Sequence, residues 1–353
     1  MPHSSDTGSN MRRAICFDDV LLKPQYSDIE SRSQINLQTQ LSEKPDVLLS
    51  LPIVSAPMDT VTGPEMLASM DVAGGLGILH RYNTVKEQVS LVRNALKIRP
   101  GLSFGAAIGT TDKYESRACA LYDEGCRIFC LDVAHGHHKL MKEALSSLRD
   151  IFGNSVHLMA GNIATLEAFN DLADWGADSI RVGVGGGSIC STRVQTGHGI
   201  PTLQSVIDCA VSDRDATLIA DGGIKNSGDM VKALAAGADA VMCGSLLAGT
   251  EETPGTVLRS NDGSPPRKVY RGMASREAQK AWRGKVGSVE GVATTVPIKG
   301  RVSDVLHDLE WGIRSGLSYT GARDLLELRV KASFIEQTQS SQTESSPHAL
   351  RGL

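Results

Sequence analysis

Short, nearly unbroken apolar runs alternate along the chain with longer stretches whose apolar residues recur every three or four positions. Eight such runs occur: PIVSAP from Pro52, GLGILH from Gly75, SFGAAIG from Ser103, RIFCLDVA from Arg127, VHLMAGN from Val156, SIRVGVG from Ser179, TLIADGG from Thr217 and AVMCGS from Ala240. Runs this short and this apolar predict strands buried on both faces, hence a parallel sheet. The stretches between them read as amphipathic helices. Two, LEAFNDLADWGAD and SGDMVKALAAGAD, close on the same Gly-Ala-Asp, with the glycine placed to end the helix. Eight strand-helix units are the number that closes an α/β (β/α)8 TIM barrel, which is the fold expected. The alternative is an open doubly wound sheet, but the turn after the first run, MDTVTG, lacks the GxGxxG of that fold.

In a barrel the site lies where strands end, and these runs end on Ser55, His80, Asp132, Asn162, Gly185, Asp221 and Ser245. The segment from Arg259 to Gly291 carries little periodicity and is expected to be a long loop, a lid over that end. The domain reading is therefore a flexible tail over 1–13, a catalytic barrel over 14–336 that includes the lid 259–291, and a disordered tail over 337–353, rich in Ser, Gln and Thr.

Composition narrows the function. With 353 residues, 41% apolar and 22% charged, the chain is enzyme-sized, and a net charge of -4 gives no general attraction to nucleic acid or anionic lipid. No window approaches an 18-residue apolar span and the N-terminus is polar, so neither a membrane nor a leader peptide is expected. Seven cysteines, without CxxC pairing or zinc spacing, point to a reducing, cytoplasmic setting. The HGHH cluster at His135–His138 has no carboxylate at helical ligand spacing and is not read as a metal site.

The chemistry concentrates in GVGGGSICSTR, Gly183 to Arg193. Its glycines can present N–H groups to a phosphate or carbonyls to a monovalent cation, Ser188 adds a hydroxyl, and Cys190 is a nucleophile candidate at the barrel mouth. The alternative is a buried, inert cysteine in a glycine-rich turn. The next loops read ADGG (Ala220–Gly223) and CGSLLAGT (Cys243–Thr250). There Asp221 can accept both hydroxyls of a ribose, and Gly244 and Ser245 can bind phosphate. Thr192 and Glu290, hydroxyl and carboxylate, can relay a proton.

Taken together, FDDVLLKPQYSDIESRS, PIVSAPMDTVTG, GGGSICSTRVQTGHGIP, IADGGIKNSGDMVKALAAGAD, VMCGSLLAGTEETPG and VYRGMAS resemble the inosine monophosphate dehydrogenase and guanosine monophosphate reductase family, over roughly 14–335. The resemblance implies a homotetrameric barrel in which Cys190 attacks C2 of a purine nucleotide, with Thr192 and Glu290 as the proton relay. It implies substrate contacts at Ser55, Met58, Ser188, Asp221, Gly222, Gly223, Gly244, Ser245, Tyr270, Gly272, Met273 and Ala274. Nicotinamide cofactor contacts follow at Asp132, Val133, Ala134, Asn162 and Met273, with Ser31 and Arg32 reaching a neighbouring subunit's cofactor. A potassium ion is implied at the carbonyls of Gly185, Gly187 and Cys190, with Arg193 contributing.

Within that family the dehydrogenases mostly carry a cystathionine-β-synthase-type insert after the second strand, absent here, and an Arg-Tyr pair in the lid that activates water. The segment ASREAQKAWRGKVGSV has no such pair, although Trp282 and Arg283 stand adjacent. The direction expected is thus NADPH-dependent reduction of GMP to IMP and ammonia. The alternative is oxidation of IMP to XMP with NAD. Two departures from the reductase pattern are the lack of an Arg just before Glu290 and Arg181 on the sixth strand, where many reductases have Lys. Outside the family stand a phosphosugar or flavin barrel without covalent catalysis and a non-catalytic nucleotide-binding descendant.

Overall fold

The computed structural model describes residues 11–111, 113–259 and 262–345. All eight apolar runs are strands: β1 (Ile53–Ser55), β2 (Leu76–Leu79), β3 (Gly105–Ile108), β4 (Ile128–Asp132), β5 (His157–Ile163), β6 (Ser179–Val182), β7 (Thr217–Asp221) and β8 (Ala240–Cys243). Each pairs in parallel with the next, and β8 pairs with β1 to close the barrel. Val54, Leu76, Ile78, Ala107, Ile128, Cys130, Met159, Ile219, Ala240 and Met242 fill its interior. The outward residues pack under a ring of helices in a second, larger cluster.

The repeated Gly-Ala-Asp does two jobs. Gly176 and Gly237, at φ +103° and +117°, take the positive-φ conformation that ends a helix cheaply. Asp178 and Asp239 then accept at 2.6 Å from the Leu158 and Leu218 amides, tying the foot of one strand to the strand before it.

The N-terminal end of the barrel is stoppered by an antiparallel hairpin, Thr39–Glu43 with Asp46–Leu49, whose Leu41, Val47 and Leu49 join the interior cluster. Access is therefore left to the C-terminal end. Strand Val20–Leu22 pairs antiparallel with Phe334–Glu336, joining a segment ahead of the barrel to one that follows it.

Two expectations need revision. The lid is more than a loop: Arg267–Arg271 forms an antiparallel ladder with Ala293–Pro297, and Arg276–Arg283 is a helix. Polarity hid this strand, because Lys268 and Tyr270 point inward while Val269 points out. Lys268 Nζ ends among the carbonyls of Thr250, Glu251 and Thr253 at 3.0, 2.9 and 2.7 Å, pinning the lid's base to the segment after β8. Part of the tail expected to be disordered is a helix, Gln339–Glu344. Residues 346–353, and residues 1–10, lie outside the described residues. Among the described residues no helix is long and apolar enough to cross a membrane.

Candidate active site

The open end of the barrel holds one cleft lined by loops after several strands and by the lid. The loop after β6 enters it by a sharp route. Gly183, at φ +148°, lies so close to β7 that a Cβ would sit 1.8 Å from Asp221 O, so only glycine fits. Cys190 follows, on a turn closed by its own N–H on Gly187 O at 3.1 Å. Cys126, Cys130, Cys209 and Cys243 are buried, and burial pushes Cys126 and Cys209 up to about 12 and Cys130 to about 11; Cys190 is exposed to the cleft.

The Cys190 thiol points at Thr192 Oγ1, 3.2 Å away, and Thr192 donates in turn to Glu290 Oε2 at 2.9 Å. The lid is sewn to this loop by backbone bonds, Ser191 N to Glu290 O at 2.9 Å and Val292 N to Ile189 O at 3.0 Å. Thiol, hydroxyl and carboxylate form a continuous path along which a proton can leave sulfur, which is what a cysteine nucleophile requires.

Ser188 Oγ lies 3.3 Å from Tyr270 OH, with Gly244 and Ser245 lining the cleft beside them. Burial raises the Tyr270 pKa against the lowering effect of its hydrogen bond to Ser188, so the phenol stays a neutral donor suited to an anion. Asp221, at the end of β7, is held by Asn162 Nδ2 at 2.8 Å and by Arg181 at 2.9 Å. Arg181 also donates to Asp132 Oδ1 at 2.7 Å and to Cys130 Sγ at 3.3 Å, and is 5% exposed. Burial disfavours its charge, but the Cys130 sulfur and the Asp221 and Asp132 carboxylates outweigh that and hold its pKa well above the ordinary value. One guanidinium thus orients an aspartate on each side of the cleft floor.

Of the residues expected at the site, Met58, Asp132, Val133, Ala134, Asn162, Gly185, Gly187, Ser188, Cys190, Thr192, Asp221, Gly222, Gly223, Gly244, Ser245, Tyr270, Gly272, Met273, Ala274 and Glu290 line the cleft. Ser55 does not. It is fully buried and receives a hydrogen bond from Thr62 Oγ1 at 2.9 Å, so its role is to fix the turn after β1. Ser31 and Arg32 lie at a 3-10 turn outside the cleft. Arg193 donates to Ile200 O at 2.8 Å, and its stem lies against Gly185 and Gly199.

Sequence reasoning passed over Arg81 and Tyr82, which line the cleft just beyond β2; Arg81 donates to Asp132 O at 2.9 Å. Their signal was position, directly after the strand-ending His80. Arg181 was visible as a charge inside a buried strand, the mark of a paired functional group. In the HGHH segment, His137 Nε2 pairs with Asp171 at 2.8 Å and its ring lies over Trp175.

Residues 14–348 match the family model described as the IMP dehydrogenase / GMP reductase domain. The inosine-5'-monophosphate dehydrogenase of Nitrosopumilus maritimus is 33% identical, covering 96% of this chain and 98% of its own length. The GMP reductase of Leishmania donovani is 31% identical, over 96% and 97%. Among solved structures, a cysteine-to-alanine variant of the GMP reductase from Trypanosoma brucei, in complex with guanosine 5'-monophosphate, superposes with a TM-score of 0.90 at 28% identity, covering 98% of this chain and 100% of that one. The alignments to these two sequence relatives run over 473 and 483 positions, more than the 353 residues of this chain, for dehydrogenase and reductase alike. Lack of the insert therefore does not separate the two activities.

Proposed function

The chain belongs to the IMP dehydrogenase / GMP reductase family, and from that premise we propose that it reduces GMP to IMP, releasing ammonia. Cys190, its proton passing through Thr192 to Glu290, attacks C2 of the purine. The C2 amine takes up a proton and leaves as ammonia, and the resulting thioimidate accepts hydride at C2 before the sulfur departs with its bonding pair. Asp221 holds the ribose hydroxyls, and Ser188, Ser245 and Tyr270 hold the phosphate.

The cleft does not end at the nucleotide: its lining continues to Asp132, Val133, Ala134, Arg81 and Tyr82, which fits a second ligand beside the first. Asp132 and Asn162 would orient an NADPH bound there, which would supply the hydride, with Ser31 and Arg32 available to a neighbour in a homotetramer. Gly185, Gly187 and Cys190 offer backbone carbonyls, a donor type suited to potassium. An ion held there would stiffen the loop that carries Cys190, with Arg193 packed behind Gly185.

The observation that carries the reductive direction is the lid's make-up. Among the described side chains of the lid, none from 276 to 282 or from 284 to 289 lines the cleft, and Glu290 is the acid–base group the lid brings to Cys190. A dehydrogenase must also activate water to free its product from the cysteine; the reductive route needs no such group. The identity to a dehydrogenase favours the second reading, IMP with NAD to XMP. Following reduced-cofactor absorbance separates them: GMP with NADPH consumes cofactor and releases ammonia, whereas turnover of IMP with NAD alone overturns the proposal. Cys190→Ala abolishes whichever reaction occurs, and surviving activity would exclude covalent catalysis.

A further inference from the structure

Glu290 reaches Thr192 from the end of a stretch, 284–290, that forms neither helix nor strand. A proton relay tolerates displacement of only about 0.5 Å, so this stretch has to be held by something else. The side chain of Gln279, 8% exposed on the inner face of the lid helix Arg276–Arg283, holds it. Gln279 Nε2 donates to Ala274 O at 3.0 Å and to Ser288 O at 2.6 Å, and Oε1 accepts from Gly287 N at 2.8 Å.

These bonds converge on the glutamate. Ala274 O also accepts from Glu290 N at 3.2 Å, so Gln279 and the Glu290 backbone share one acceptor. Ser288 Oγ donates to Glu290 Oε1 at 3.2 Å, opposite the oxygen that Thr192 uses. A single amide therefore ties the turn at Ala274, the segment Gly287–Ser288 and the carboxylate into one body. Helix packing alone asks for an apolar side chain at such an inward position; a buried amide persists there because its hydrogen bonds are made.

We propose that Gln279 is a positioning residue that sets the Glu290 carboxylate against Thr192, an inference that rests on the relay assigned above. Gln279→Met keeps the side chain's length and removes all three bonds. It lowers kcat on the order of tenfold or more, within the range a displaced acid–base group spans, while the nucleotide KM moves by less than about threefold. In a Glu290→Gln background the same change has almost no further effect. Gln279→Glu loses activity at neutral pH and regains part of it, relative to wild type, as pH falls and the new carboxyl can donate.

The assays use whichever family reaction the wild-type protein catalyses, so they do not depend on redox direction. If Glu290→Gln leaves kcat unchanged, the relay itself is wrong and the inference falls with it. If Glu290→Gln slows turnover but Gln279→Met does not, or slows it equally in both backgrounds, Gln279 does not act through Glu290.

Discussion

Thr192 donates its hydroxyl to Glu290 at 2.9 Å across 98 residues of sequence, while the same oxygen lies 3.2 Å from the Cys190 sulfur. Barrel and lid meet at this hydroxyl, so in the proposed mechanism the position of the lid and the proton path from the thiol depend on the same contact. Thr192→Val keeps the shape and removes the path for the proton. It and Glu290→Gln are each expected to lower kcat by about 10²-fold, the lower end for lost acid–base catalysis. Both also slow alkylation of Cys190 by iodoacetamide in the free enzyme. Unchanged alkylation with reduced kcat would confine the relay to the departing amine.

Arg181 links two halves of the cleft through Asp132 and Asp221 at 2.7 and 2.9 Å. Arg181→Met strands two partly buried carboxylates, and removing one partner of a buried ion pair costs about 3–5 kcal/mol. The expected result is a lowered thermal midpoint together with weaker nucleotide and cofactor binding, measured by thermal unfolding and titration calorimetry. Arg181→Lys, whose ammonium cannot fork between two carboxylates, recovers stability more than it recovers binding. Equal recovery of both would show that charge alone, without bidentate geometry, is what the site uses.

The barrel was legible because β1 to β8 are short apolar runs alternating with segments of helical spacing, and the strand-end rule then located Asp132, Asn162, Asp221 and the Cys190 loop. What escaped was structure whose burial contradicts its polarity. Lys268 sits inside because the Thr250, Glu251 and Thr253 carbonyls satisfy its ammonium, so the lid strand shows Lys in and Val269 out and its alternation reads as noise. Gln279 is similar: on a helix that is mostly polar, an inward glutamine is visible only once the loop it binds is seen. Ser55 erred the other way. It ends a strand, but its hydroxyl turns inward to Thr62 rather than toward the cleft.

The stopper at the closed end makes a pH prediction. His157 is fully buried at the foot of β5, with Nδ1 2.8 Å from Ser42 Oγ of the hairpin and Nε2 2.7 Å from Ser179 Oγ of β6. Burial lowers its pKa from 6.5 to about 4, partly opposed by the Asp178 carboxylate and aided by Arg149. The folded protein therefore holds the ring neutral where the unfolded chain would protonate it. The stability this contributes is complete above the unfolded pKa and is lost as pH falls toward the folded one. Over that window the loss amounts to about 3 kcal/mol at a single site. Urea unfolding at a series of pH values between these limits should show stability declining with acid in the wild type. His157→Gln, which can still bond both serines but does not titrate, should flatten that decline. An unchanged slope in the variant would place the acid sensitivity elsewhere than in the stopper.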